Sequence, residues 1–135
     1  MKSIFQRRGF VYDQLPAILW ATAIFVESAI SNVTLPDLRF VPADKVGHLV
    51  LYLILCALVY RALKYQSRFP LLSKHALLCA LLMACLYGAS DEFHQSFVPN
   101  RDASLGDLAA DSVGALLFLG YALIKERSSR KKLSR

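Results

Sequence analysis

Asp91, Glu92, His94 and Gln95 fall within five residues of one another, and Arg101, Asp107 and Asp111 follow within the next sixteen. They interrupt an otherwise strongly apolar sequence. Upstream lies a second group, Asp44, Lys45, His48 and Tyr52. Asp44, His48 and Tyr52 are four apart, so on a helix they stack along one face. Asp107 and Asp111 repeat that spacing, with Asp111 about 6 Å deeper at the α-helical rise. A histidine among carboxylates can shuttle protons. Arg101 and Lys45 can hold a phosphate or carboxylate. Ionisable groups beside a bilayer are costly and are read as functional by default. What positions them decides whether a bilayer is there.

The chain has 135 residues, 56% hydrophobic and 19% charged, against roughly 45–50% and about 25% in soluble domains. That length makes a single domain, 1–135. The apolar residues gather in four blocks, Leu15–Ile30, Val46–Leu63, His75–Ser90 and Leu105–Ile124. A span needs about 20 mainly apolar residues, and roughly 17 is the lower limit. The second and fourth blocks qualify, the first does with its flanks, and the third is short and calls for snorkelling or local thinning. Pro16, Pro36, Pro42, Pro70 and Pro99 lie at or outside block ends, so the helices need not be broken. The pattern predicts an all-α polytopic membrane protein with helices at about 14–31, 45–64, 74–91 and 105–125 and a solvated basic tail, 126–135.

Charge sets the orientation. Lys2, Arg7 and Arg8 precede the first block, and Arg61, Lys64, Arg68 and Lys74 join the second to the third. Lys125, Arg127, Arg130, Lys131, Lys132 and Arg135 follow the last. These are 13 of the 16 basic residues, and all fall on one side of an up-down-up-down bundle. All acids except Asp13 and Glu126 fall towards the other. The positive-inside rule then predicts both termini in the cytoplasm and a multi-pass protein of the cytoplasmic (inner) membrane. A soluble bundle would carry polar outer faces, which these helices lack. A cleaved signal peptide fits the basic start and the small residues Ser28–Ser31, but not the long apolar run or Glu27. The net charge of +6 reflects topology and attraction to anionic lipid, so no nucleic-acid partner is expected. Cys56, Cys79 and Cys85 sit inside spans without metal-type spacing and read as inert thiols.

Alternating spans carry Glu27, Asp44, Lys45, His48, Asp91, Glu92, Asp107 and Asp111 to one membrane face. Several have plainer readings. Ser104 and Asp107 form a capping-box pattern, Asp44 is a dipole partner for its helix, His48 is a packing residue and Glu27 a snorkelling end residue. Asp111 lies too deep to cap anything. Gly106, Ala110 and Gly114 form a small-residue stripe that suits close helix approach. Asp91 and Glu92 oppose the dipole of their own helix, so a partner such as His94, Arg101, Lys45 or a cation is expected. Phe93 and Phe97, four apart, predict a short interfacial amphipathic turn with rings towards lipid. Pro99–Asn100 then turns the chain.

DKVGHLVLY at Asp44–Tyr52 and DEFHQSFVPNRDASLGDLAADSVGALL at Asp91–Leu117 resemble the VanZ-like family of membrane proteins. The resemblance covers roughly Asp44–Gly120. It implies catalytic candidates at His48, Asp91, Glu92 and Asp111, and substrate-binding candidates at Asp44, Lys45, Tyr52, Gln95, Arg101 and Asp107. Family members often have Gly before the arginine, where this chain has Asn100, which tolerates left-handed geometry. The founding member is associated with resistance to the lipoglycopeptide teicoplanin, so the resemblance implies an envelope role.

Three functions fit. The first is an outward-facing pocket that binds membrane lipid, a lipid-linked cell-wall precursor or a lipoglycopeptide. The second is an acid–base hydrolase or transferase on such a precursor; no nucleophile motif such as G-x-S-x-G is present, so whether the protein is an enzyme stays open. The third is proton-linked transport. Asp91, Glu92, His94, His48 and Asp107 are ligand types for a metal, but with neither HExxH nor paired CxxC no metal or other cofactor is expected. Oligomeric state is not legible.

Overall fold

A computed structural model describes residues 9–31, 43–101 and 103–133. Six helices follow in order, α1 (Phe10–Asp13), α2 (Leu15–Ser28), α3 (Ala43–Tyr65), α4 (Pro70–Lys74), α5 (Ala76–Gln95) and α6 (Leu105–Leu133), and no strand occurs among the described residues. Three of them, α3, α5 and α6, are long and apolar enough to cross a membrane. The third apolar block lies in a helix of 20 residues, because α5 runs on through the polar Asp91 and Glu92 to Gln95. The first block yields a 14-residue helix, α2, preceded by the single turn of α1. The separate amphipathic turn expected after residue 91 is the end of α5 itself. Phe93 and Phe97 do point outward as an edge-to-face pair with centroids 5.0 Å apart. Residues 126–133, expected as a solvated tail, continue α6 to 29 residues, about 43 Å at 1.5 Å per residue. Its basic last turns outreach a hydrocarbon core of about 30 Å.

Each of the three long helices buries one narrow stripe. On α5 it is Ala76, Ala80, Ala84, Gly88, then Asp91, Glu92 and Gln95. On α3 it runs upward from Cys56, Leu55 and Tyr52 to His48, and on α6 from Ala122, Ala115 and Gly114 to Asp111 and Asp107. All three stripes thus change from small or apolar residues to polar ones towards the same end of the bundle. Between α3, α5 and α6 the buried apolar side chains are mostly small, Cys56, Ala80, Ala84 and Ala115 among them, whereas Leu82, Met83, Leu86, Leu116, Leu117 and Ile124 face outward. Large apolar groups outside and small ones inside is the arrangement a lipid surrounding favours.

The central helix is α3, packed on α6 and α5, while α2 lies against α3 and α5. Cys56, Ala80, Ala84 and Ala115 form one apolar cluster, and Ile24, Tyr52 and Leu55 a second beneath Trp20 and Tyr87. Gly114 lets α6 approach α3, because a Cβ there would stand 2.1 Å from the Leu49 carbonyl oxygen. The small-residue stripe therefore does serve close packing. Polar ties fix α2: Trp20 Nε1 donates to the Leu51 carbonyl at 3.0 Å, and the Tyr87 hydroxyl to that of Ala21 at 2.6 Å.

Between α5 and α6 the Arg101 N–H donates to the Val98 carbonyl at 3.2 Å. Pro99 and Asn100 occupy the turn, with Asn100 at φ 61°. Proline followed by a residue of positive φ is a type II pattern that Gly or Asn accepts at low cost.

Candidate functional site

The polar ends of the stripes meet. His48, one turn inside α3, places Nδ1 3.0 Å from Oδ1 of Asp111, a fully buried residue of α6. With Asp111 as a carboxylate, Nδ1 carries the proton and donates, and Nε2 is the ring nitrogen left for another partner. That nitrogen faces the exposed Asp44, 4.0 Å away. Lys45, one turn before His48 on α3, also reaches α6 and pairs with Asp107 at 2.7 Å. Gly88 makes the depth of Asp111 possible, since a Cβ at that position would lie 2.9 Å from Asp111 Oδ2 and 3.3 Å from the Tyr52 ring. Tyr52 is fully buried beside Tyr87 and among the charges of Asp91 and Asp111.

On α5, Asp91 accepts a hydrogen bond from Gln95 Nε2 at 3.2 Å. Glu92 Oε2 accepts the Ser104 backbone N–H at 2.7 Å. Ser104 in turn takes the Gly106 N–H on its hydroxyl at 3.1 Å, so it is the N-cap of α6. The other half of the capping box comes from Glu92 of a neighbouring helix, and Asp107 is left free for Lys45. The capping reading thus holds for Ser104 and fails for Asp107. The partner that offsets the dipole cost at Glu92 is the positive end of α6, and at Asp91 it is the Gln95 amide.

Two basic residues expected to face a ligand are engaged within the protein. Arg101 stands at the edge of the cluster but turns to α2, donating to Glu27 Oε1 at 2.6 Å, to the Glu27 carbonyl at 2.9 Å and to that of Ile30 at 3.1 Å. Lys45 is held by Asp107. His94 leaves the cluster altogether; its Nδ1 lies 3.1 Å from the Ser28 hydroxyl and its ring stacks on Phe25 at 4.5 Å. As metal-ligand geometry, the buried His48, Glu92 and Asp111 offer atoms within 4.8 Å of one another, and Asp44, His48 and Asp107 form a second, more exposed set.

The sequence reading missed Gly88, Ser28 and Asp13. Gly88 carried a signal, because it ends the four-residue repeat Ala76, Ala80, Ala84, Gly88. Ser28 had none beyond the helix end. Asp13, at the opposite end, is buried, and nothing in its local spacing marks it.

The profile of the VanZ/LLP1 family matches residues 4–126, nearly the whole of the 135-residue chain. The chain belongs to the VanZ/LLP1 family. No curated protein and no solved structure matches it. The family match extends past the motifs around His48 and Asp91 to include α1 and α2. In this VanZ/LLP1 member α2 supplies Glu27 to Arg101 and Ser28 to His94, so it helps to shape the polar end. Three apolar helices of spanning length and the family match make it a membrane protein.

Proposed function

We propose that this VanZ/LLP1 protein crosses the cytoplasmic membrane four times, with both termini in the cytoplasm. On this reading its outward polar end binds the headgroup of a cell-envelope lipid or other amphiphile. The fourth span is supported by the ties of α1 and α2 to both ends of the bundle. Arg61, near the end of α3, donates to the Tyr12 carbonyl, and Arg101 reaches Glu27. From Phe10 to Ser28 the two helices cover about 27 Å, close to a hydrocarbon core of about 30 Å. Sidedness rests on the segregation of basic residues.

One observation carries the headgroup reading. The buried polar network borders three of the most exposed apolar side chains of the protein, Leu105 at 86%, Phe97 at 70% and Phe93 at 68%. An amphiphile has that same two-part chemistry. With Lys45 and Arg101 engaged, the carboxylate oxygens Glu92 Oε1 and Asp111 Oδ2 are left as acceptors beside the Tyr52 hydroxyl, so the favoured headgroup is rich in hydroxyl or amine donors. A lipid-linked sugar precursor fits, and so does a lipoglycopeptide; the family resemblance implies an envelope role for either.

The test is mass spectrometry of lipid retained by the protein extracted in native lipid discs. A headgroup-bearing lipid enriched with the wild type and depleted about ten-fold in Asp91→Asn, at equal membrane abundance, is the expected result. Identical lipid profiles sink the reading. A second reading, acid–base catalysis on the same amphiphile, is favoured by the His48–Asp111 pair, which orients the imidazole and turns its other nitrogen away from Asp111. Turnover of the retained lipid, lost in His48→Ala, separates the two.

A further inference from the structure

We propose that His48, Glu92 and Asp111 bind a first-row divalent metal ion. The inference shares the site of the headgroup reading and goes beyond it. The three side chains come from α3, α5 and α6, and each offers a ligand atom within 4.8 Å of the other two. Glu92 is 8% and Asp111 0% exposed. Glu92 Oε1 and Asp111 Oδ2 have no hydrogen-bond partner among the described residues. Buried charges persist where they are paired or coordinate a metal. Among the described residues no further base is paired with them: Lys45 is taken by Asp107 and Arg101 by Glu27.

The donor set selects the ion. An imidazole with two carboxylates suits Zn2+ or Mn2+, whereas Mg2+ and Ca2+ favour sets made wholly of oxygen. Three protein ligands leave positions for oxygen donors from outside the protein. Gly88 keeps the space beside Asp111 Oδ2 clear of a methyl group. Binding requires His48 to be neutral at the ligating nitrogen, so uptake releases a proton when the imidazole starts protonated.

The full-length chain in lipid nanodiscs, stripped with chelator, is titrated with Zn2+ alone and Mn2+ alone, with bound metal counted by elemental analysis and Mn2+ followed by electron paramagnetic resonance. The expected result is one ion per chain, not displaced by excess Mg2+. Glu92→Gln and Asp111→Asn should each weaken it at least about ten-fold, while Asp44→Asn keeps it. Circular dichroism establishes that each variant is folded, and Glu92→Gln keeps an amide oxygen for the Ser104 N–H should Asp111→Asn unfold. A folded wild type that takes up no stoichiometric metal overturns the inference, as does binding that survives both substitutions. Lipid retention by the stripped protein keeps the two proposals apart. Amphiphile retained by a protein that takes up no added metal defeats the metal site alone, and metal bound without amphiphile defeats the headgroup reading alone.

Discussion

Gly88→Ala is the sharpest perturbation of the buried pair. The new Cβ would stand 2.9 Å from Asp111 Oδ2 and 3.3 Å from both Asp111 Cβ and Tyr52 Cε1, where ordinary contact begins at 3.4 Å. Oδ2 must therefore retreat by about 0.5 Å to reach normal contact. Asp111 is fully buried and cannot swing to solvent. Its other oxygen is held at 3.0 Å by His48, so the same movement takes that bond towards about 3.5 Å, the edge of hydrogen-bonding range. Overpacking of this kind costs about 1–3 kcal/mol, and alanine returns about 1 kcal/mol of helix propensity. Gly120→Ala is the control, because nothing lies within 4 Å of a Cβ there. Both substitutions carry the same propensity gain, so their difference isolates the steric term and should be about 1–3 kcal/mol. Denaturant titration in mixed micelles followed by circular dichroism measures it. Nitrogen NMR of the His48 imidazole should shift in Gly88→Ala alone. Equal stabilities with an unmoved His48 signal would refute the contact between α5 and Asp111.

Three further outcomes are expected. A double-mutant cycle on Lys45→Ala and Asp107→Asn should give a coupling of no more than about 1 kcal/mol, since the Lys45 side chain is 39% exposed and the pair is screened; a larger value would mean that Lys45 is buried in the membrane. Arg101 reaches its three acceptors, at Glu27 and Ile30, from two nitrogens, Nε and Nη2, a spread that the single ammonium of Arg101→Lys does not match, so the substitution should cost about 1–2 kcal/mol in the same titration, and an unchanged midpoint contradicts the geometry. Cysteine labelling in intact cells should modify a cysteine placed at Asn100 and spare one at Ser67, and the reverse pattern overturns the proposed orientation.

The helices and their meeting point were legible because hydropathy and the four-residue spacing act locally. Asp44, His48 and Tyr52 announce a shared face, and alternating spans bring that face to the same end as Asp91 and Asp111. Helix ends were less legible. The apolar signal stops near Ser90, yet α5 continues because Asp91 and Gln95 satisfy each other and Glu92 finds the N-terminus of α6. The partners of the charged residues were hidden for a different reason. Nothing near Arg101 points to Glu27, 74 residues earlier, and nothing near His94 points to Ser28. Spacing gives the face of a helix and leaves open which neighbour stands opposite.

The central claim is that the polar end serves a ligand and is not merely a folding network. Complementation of the envelope phenotype of a deletion strain by His48→Ala and Asp91→Asn, normalised to protein in the membrane, tests it most directly. Both variants should reach the membrane at near wild-type abundance and fail to complement. Full complementation would make the cluster structural, and loss of both proteins from the membrane would make it a folding network; either result contradicts the account.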